Sequence, residues 1–180
     1  RAGMVQEFVK NGDIAVMRKF GLLRLLGVVC ALALVATSAF ARGCAQPDGA
    51  AALESQLLDW INEQRQANGV RPYARSGKLD RAAEAHACDM AERNFFAHSR
   101  PGGPGLGSRI KATGYRLKAG NENIAYSRQA AVASAATIWR NSPPHWAAII
   151  DPSLKEIGIS ITLGDGKIYW VMDVARQKGG

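Results

Sequence analysis

The sequence is short of the features that mark several protein classes. Its 180 residues contain 7 Pro and 19 Gly with no period, which excludes a collagen-like or low-complexity chain. It has only 3 Cys and 3 His, and no H-E-x-x-H occurs, so metalloprotease spacing is absent. A G-x-S-x-G nucleophile elbow and a phosphate-cradling loop with its Lys are also missing. The sequence patterns of the commonest hydrolases and nucleotide-binding proteins are therefore not present.

The composition that remains is that of an ordinary globular chain. Hydrophobic residues make up 47% and charged residues 21%, which argues against disorder, and the length suits one domain. The formal net charge is +8, but the basic residues are spread along the chain without a run or stripe. We therefore expect a solvated surface, with at most weak attraction to an anionic cell surface, and no nucleic-acid partner.

The longest apolar run lies near the N-terminus and has the form of an export signal. Residues 17–19 begin a basic segment, residues 25–36 are uncharged and apolar, and Ala39-Phe40-Ala41 is a small-x-small ending. These features predict a secretory signal peptide at 17–41, preceded by an upstream extension at 1–16. A membrane-spanning helix needs roughly 20 apolar residues, so an uncleaved anchor is the less favoured alternative. We expect no transmembrane span after cleavage.

Two cysteines remain after the signal is removed. Cys30 belongs to the signal, whereas Cys44 and Cys88 are left in a chain that would enter an oxidising compartment. An even count there favours a Cys44–Cys88 disulfide, and the alternative is one buried and one exposed thiol. Lipid attachment at Cys44 is not favoured, because Ala41-Arg42-Gly43 makes a poor lipobox.

The hydrophobic periods predict helices first and a β-hairpin last. We expect helices at 50–68, 77–94 and 129–141, helical turns at 108–112 and 145–150, and a strand at 122–126. Ser76 is placed to cap the second helix. Apolar residues then alternate on both sides of a turn at 164–166, as in a hairpin whose faces differ in polarity. This order indicates an α+β domain with helices packed on a small antiparallel sheet.

Six segments, in this order and spacing, resemble one family, the CAP superfamily of SCP-like or PR-1-like secreted domains, in its short bacterial branch. The segments are LLDWINEQRQANGVRPY (57–73), LDRAAEAHACDMAERNFFAHS (79–99), RIKATGY (109–115), ENIAYS (122–127), WRNSPPHWAAIIDPSLKEIGI (139–159) and YWVMD (169–173). The resemblance implies an α-β-α sandwich with a polar cleft. It places the domain at 53–175, after a lead at 42–52 and before a tail at 176–180.

The resemblance also implies a set of cleft residues. The family's histidine before the Gly-rich loop falls on His98, its motif glutamate on Glu122, and its bacterial S-P-x-H histidine on His145. A second acidic residue, expected near Ser142, is missing, and so is a second histidine, expected near Tyr169. His98 and His145 are thus the possible metal ligands, and Glu122 could fix an imidazole tautomer.

Five further aromatic or polar residues need a structural interpretation of their own. His86 lies on the apolar stripe of the second helix, so we expect a core histidine that bonds a backbone carbonyl. Trp60, Trp139 and Trp170 are interpreted as core anchors, and Trp146, next to His145, as one wall of a ligand pocket.

Three functional hypotheses follow. The first is an exported binding module, in the periplasm or outside the cell, that takes a small lipid, peptide or envelope component in the cleft. The second is a metal-assisted hydrolase, and the third is a structural envelope or host-contact protein with a vestigial cleft. We expect a monomer without catalytic residues and without a required cofactor, and a divalent metal such as zinc is the possible exception.

Overall fold

The computed structural model describes residues 44–179, so the predicted extension at 1–16 and signal peptide at 17–41 lie outside the described residues. The elements follow in the order α1 (Ala50–Ala67), β1 (Ala74–Arg75), α2 (Gly77–Glu92), α3 (Leu106–Ala112), β2 (Leu117–Ser127), α4 (Val132–Arg140), α5 (Pro143–Ile149), β3 (Glu156–Gly164) and β4 (Lys167–Gln177). Within residues 44–179, no helix combines the length and the apolar character needed to cross a membrane.

The strands form one mixed sheet between two layers of helices. Its order is β1-β3-β4-β2, where β1 pairs in parallel with β3 and the other pairs are antiparallel. Helices α1, α4 and α5 pack on one face, and α2 and α3 pack on the other. The predicted α+β sandwich is confirmed, but its sheet is mixed rather than antiparallel, because the short strand β1 pairs in parallel with β3. Strand β2 lies at an edge of the sheet.

The predicted terminal hairpin is present, but both of its faces are buried. Asp165 and Gly166 form its turn with φ of 50° and 65°, as a two-residue hairpin turn requires. One face of the two strands carries apolar side chains such as Trp170, whereas the other includes Ser160 and Asp173, and all three residues are buried. The contrast in polarity that the sequence predicts therefore lies inside the molecule, because helix α2 covers the more polar face.

Close packing of α2 on β3 depends on two glycines. A Cβ atom at Gly158 would lie 2.0 Å from the backbone carbon of Leu79, and one at Gly164 would lie 2.6 Å from the Cβ of Ala91. Both positions therefore exclude any side chain. The small residues Ala82, Ala83 and Ala87 on the buried face of α2 serve the same close approach.

Several element boundaries differ from the prediction. Strand β2 starts at Leu117 rather than 122, because Gly120-Asn121-Glu122-Asn123 hides the strand period. Helix α1 begins inside the segment predicted as a lead, and β4 extends to Gln177, inside the predicted tail. Ser76 precedes α2 as predicted, but its side chain makes no capping hydrogen bond.

Three tryptophans divide between core and surface. Trp139 and Trp170 are fully buried, and their indole N–H groups donate to Ile124 O and Ser127 Oγ. Trp60 is half-buried and packs against the edge of the main core, with the guanidinium of Arg140 5.4 Å from its ring centre, so it anchors the core less deeply than the other two. Its face of α1 borders α4 at the surface.

A disulfide joins Cys44 to Cys88, with their Cα atoms 5.5 Å apart. The predicted pairing is therefore present, and it connects the segment before α1 to helix α2. Leu163 N also donates to Ala45 O at 2.7 Å, which attaches the same segment to β3. A bridge that closes a loop of this length stabilises a domain by roughly 2–4 kcal/mol.

Candidate functional site: a cleft at the edge of the sheet

A cleft of about 400 Å³ opens where edge strand β2 meets α3, α5 and the loop after α2. Its lining combines hydrogen-bonding side chains with a few apolar ones: His98, Ser99, Gly105, Leu106, Asn121, Glu122, Asn123, Pro144 and His145. We call this cavity the β2 cleft. Successive side chains of a strand point to opposite faces, so Glu122 and Asn123 connect the cleft to both helix layers.

Glu122 is the buried anion at the base of the β2 cleft. Its side chain is 2% exposed, with Oε2 2.5 Å from Arg109 Nη2 and Oε1 2.8 Å from His98 Nδ1. Both carboxylate oxygens are thus occupied, and the charge of Glu122 is balanced by a guanidinium. Arg109 also donates to the backbone oxygens of His98 and Pro104, which fixes the loop that carries His98.

His98 offers its second ring nitrogen to the cleft. A carboxylate only accepts hydrogen bonds, so the Nδ1 atom that meets Glu122 must carry the proton. In the neutral ring, Nε2 is then an acceptor, and 59% of the side chain is exposed. This bond fixes the ring's orientation and its tautomer, as a second-shell carboxylate does at a ligand-binding histidine.

His145 approaches the cleft from α5, whose first turn begins with Pro143 and Pro144. Its backbone oxygen accepts a hydrogen bond from Asn123 Nδ2 at 2.9 Å, which holds the helix against β2. Among the described residues, its buried Nδ1 has no hydrogen-bond partner. Burial lowers the pKa of His145, and the positive charge that His98 can carry lowers it further. The ring is therefore held neutral.

The far end of α5 is anchored by a buried arginine. Arg65 of α1 is 1% exposed, and its Nη1 donates to Ile149 O at 2.7 Å and to Asp151 O at 3.0 Å. Carbonyl groups at a helix C-terminus lack partners within the helix, so the guanidinium satisfies them. Helix α5, and with it His145, is thus fixed at both ends.

His86 lies below Glu122, on α2. It is 1% exposed, and its Nε2 is 3.0 Å from Ala97 O and 3.8 Å from Glu122 Oε1. The prediction of a core histidine bonded to a backbone carbonyl is confirmed. Burial lowers the pKa of His86, with Glu122 acting in the opposite direction.

Asp173 is the second buried carboxyl group of this region. It lies directly opposite Glu122 in the pairing of β2 with β4, is fully buried, and has no hydrogen-bond partner for either oxygen among the described side chains and backbone groups. Burial raises the pKa of Asp173 well above its usual range, and the charge of Glu122 raises it further, against the opposing effect of Arg109. Burial therefore favours the protonated form of Asp173.

A sequence model of the cysteine-rich secretory protein (CAP) family matches residues 58–174. The chain belongs to the CAP family. A curated relative, the uncharacterized protein YkwD of Bacillus subtilis, is 29% identical over 113 residues, which cover 63% of this chain and 44% of that protein. The chain thus spans less than half the length of this relative.

Solved structures share the CAP fold. An extracellular protein of Bacillus anthracis with an SCP domain superposes with a TM-score of 0.63 at 22% identity, over 71% of this chain and 41% of that one. An outer surface protein of Borrelia burgdorferi gives a TM-score of 0.68 at 20% identity, over 75% of this chain and 99% of that one. At these identities the likeness concerns the fold alone.

Three of the four cleft residues predicted for this CAP domain converge. His98, Glu122 and His145 line one cavity, but Trp146 is not among the lining residues and packs against the main core instead. The assignment of Trp146 as a cleft wall is therefore wrong. Neighbouring residues of a helix point about 100° apart, so His145 and Trp146 face different surroundings.

Sequence reasoning missed two functional neighbours, Arg109 and Asp173. Arg109 stands in the RIKATGY segment, where nothing local distinguishes a buried cation from a surface one. Asp173 gave a usable signal, because it continues the series Tyr169, Val171 on the buried face of a strand. A carboxyl group at an inward position of such a strand marks an unusual site, and here the residue opposite it on β2 is Glu122.

Proposed function

We propose that this CAP-family chain is an exported binding module whose β2 cleft takes a small amphipathic ligand, such as a lipid. The observation that carries the proposal is the chain of contacts Arg109–Glu122–His98. It presents an accessible, oriented imidazole nitrogen at the base of a cavity of about 400 Å³. Because the imidazole of His98 is oriented before a ligand binds, association costs less conformational entropy.

The lining favours an amphipathic ligand over a purely polar one. His98 and His145 offer hydrogen bonds to a polar head group, while Leu106 and Pro144 offer apolar contact to the rest of the molecule. Clefts of this volume suit small molecules and lie within the range typical of ligand sites. A short peptide or another envelope component that presents the same combination is the alternative ligand.

Binding is favoured over catalysis by the state of the polar groups. Both oxygens of Glu122 are engaged, so it is not free to act as a base. Ser99 lines the cleft beside His98 but has no hydrogen bond to it among those formed by residues 44–179. A hydrolase would need an activated nucleophile or a water-activating metal.

Export is supported by three observations of different kinds. The sequence predicts a signal peptide at 17–41, the structure contains the Cys44–Cys88 disulfide, and disulfides persist in oxidising compartments. Two of the structures with this fold are titled as an extracellular protein and an outer surface protein. We therefore propose that the chain is exported to the periplasm or out of the cell.

Zinc is a second candidate ligand, because His145 Nδ1 is buried without a partner among the described residues. Another structure with this fold, NaASP2, is titled as containing Zn²⁺; its TM-score is 0.52 at 14% identity. The donor set here fits a catalytic zinc poorly, since such sites use three protein ligands and no group of three candidate ligands is found in residues 44–179. We therefore expect weak binding by His98 and His145 alone.

Dodecanoate is a suitable probe for the lipid proposal. We expect saturable binding to the purified chain by calorimetry, and a binding constant at least about tenfold weaker in the His98→Gln, His145→Gln double variant, because the two polar contacts are lost. Gln66→Ala, at an exposed position of α1, is the control and should bind as the wild type does.

Lipid carried through purification gives an independent readout. Organic extracts of the wild type should contain a bound amphiphile that is depleted in the double variant. If dodecanoate fails to bind, or if binding and extracted lipid are unchanged in the double variant, the proposal of a lipid ligand in the β2 cleft is wrong.

A further inference from the structure

A second cavity lies between α2 and α3, on the other side of Arg109 from the β2 cleft. Its volume is about 490 Å³, larger than that of the cleft. It is lined by residues of both helices and of the loop between them: Arg81, Ala85, Asp89, Arg100, Pro104, Ser108, Arg109, Ala112 and Thr113. We call this cavity the α2–α3 groove. The proposed function makes no use of it.

Cations outnumber anions in the groove. Three guanidinium groups line it, against the single carboxylate of Asp89; of the three, Arg109 is already paired with Glu122 outside the groove. Asp89 is shared between Arg93, which lies outside the groove, and Arg100, at 2.7 and 3.2 Å. Arg81 is exposed and forms no ion pair with any residue that the structure describes. The positive charge of the groove is therefore only partly balanced.

Arg109, which lines the groove, carries one buried donor that is unused. Arg109 is 7% exposed and uses both terminal nitrogens, yet its Nε has no hydrogen-bond partner within residues 44–179. A buried donor without an acceptor costs free energy, so this end of the groove is left with an unmet hydrogen-bonding need. Arg100 bonds Asp89 through Nε only, so its terminal nitrogens are also open to a ligand, and the Ser108 hydroxyl lines the same groove.

We propose that the α2–α3 groove binds a phosphate-bearing molecule, with Arg81 and Arg100 as its principal contacts and Arg109 at its inner end. Guanidinium groups form paired, charge-assisted hydrogen bonds with phosphate oxygens, and three of them from two helices and a loop match a group with several oxygens. The groove is larger than one phosphate, so it has room for the molecule that carries it. A soluble phosphate ester and a phospholipid head group supply the same chemistry.

The first test is titration with inorganic phosphate at low ionic strength, followed by calorimetry and by amide shifts. We expect saturable binding, with shifts concentrated in α2, α3 and the loop between them. Arg81→Gln should weaken binding at least about fivefold, and adding Arg100→Gln should abolish it, because each change removes charge-assisted bonds. Arg128→Gln makes the same change of charge at an exposed position outside the groove and should leave binding unchanged.

Two further arms identify the source of the phosphate. Glycerol 3-phosphate should bind more tightly than inorganic phosphate if the ligand is soluble. Vesicles of phosphatidic acid in phosphatidylcholine should bind the wild type, but not the Arg81→Gln, Arg100→Gln variant, if the ligand is a lipid head group. Equal loss of phosphate binding in Arg128→Gln, or no saturable binding of any of the three probes, would overturn the groove assignment.

This assignment is separable from the proposed function of the cleft. Arg81 and Arg100 do not line the β2 cleft, so their variants should bind dodecanoate as the wild type does. Loss of dodecanoate binding in Arg81→Gln would mean that the two cavities are not independent sites and would also overturn the assignment.

Discussion

Glu122 and Asp173 face each other across neighbouring strands, and both of their side chains are buried at the base of the β2 cleft. Burial raises the pKa of Asp173 and the charge of Glu122 raises it further, so the pair favours one ionised and one protonated carboxyl group. Arg109 and His98 stabilise the charge of Glu122, whereas the carboxyl oxygens of Asp173 have no hydrogen-bond partner among the described residues. The pair holds one negative charge, which His98 and Arg109 share.

Asp173→Asn should make the free energy of unfolding of the domain less sensitive to rising pH. The pKa of Asp173 is raised in the folded state, so its contribution to stability is complete below the unfolded pKa near 4 and is lost as pH rises towards the folded value. Asparagine mimics the protonated acid and has no such loss. The unfolding free energy of Asp173→Asn, measured by urea denaturation, should therefore rise relative to wild type between about pH 4 and pH 8.

The exposed Asp59→Asn variant is the control for that measurement, and its difference from wild type should stay flat over the same range. A flat difference for Asp173→Asn as well would mean that Asp173 is ionised in the folded state.

Glu122→Gln should destabilise the domain strongly, because it leaves the buried Arg109 without its counter-ion. Removing one member of a buried ion pair typically costs 3–5 kcal/mol, so we expect a loss of about 3 kcal/mol in urea unfolding at pH 7. Glu63→Gln, at an exposed position of α1, should stay within about 0.5 kcal/mol of wild type. A loss below about 1 kcal/mol for Glu122→Gln would show that water reaches Arg109.

The difference between what the sequence predicts here and what it misses has a physical cause. Periodicity and turn residues identified most of the elements, and ordered motifs brought His98, Glu122 and His145 to one cleft. Arg109 could not be found in this way, because its burial depends on a partner that lies 13 residues away on another element. Local patterns report which residues face a core, but not which charges meet inside it.

The same reasoning explains the error at Trp146. Adjacency in sequence suggested adjacency in the cleft, but α5 turns the side chain after His145 towards the core. The predicted length of strand β2 is too short for a related reason. The polar stretch around Asn121 lines the cleft, so it lacks the alternation of a half-buried strand. The residues that broke the local pattern are those that build the site.

Gly158→Ala should be much more damaging than an ordinary glycine substitution. A methyl group there would lie 2.0 Å from the backbone of Leu79, so α2 and β3 would have to separate. Overpacking of this kind typically costs 1–3 kcal/mol or more, and we expect about 3 kcal/mol because the obstacle is backbone. Gly105→Ala has no atom within 4 Å of its Cβ and should change stability little, as thermal unfolding of both variants would reveal.

Zinc should bind the β2 cleft weakly and through both imidazoles. A ligand at a hundred times its dissociation constant stabilises a protein by about 2.7 kcal/mol, and we expect less than half of that at about 0.1 mM zinc, because two protein ligands leave water to complete the coordination. His98→Gln and His145→Gln should each remove the gain in melting temperature, since one imidazole alone holds the ion no better than a surface histidine. The exposed Gln66→Ala variant should retain the gain. Stabilisation that survives in the double histidine variant would place the metal elsewhere. Stabilisation close to about 2.7 kcal/mol would require a third protein ligand. Glu122 could be that ligand only if it released its hydrogen bond with His98.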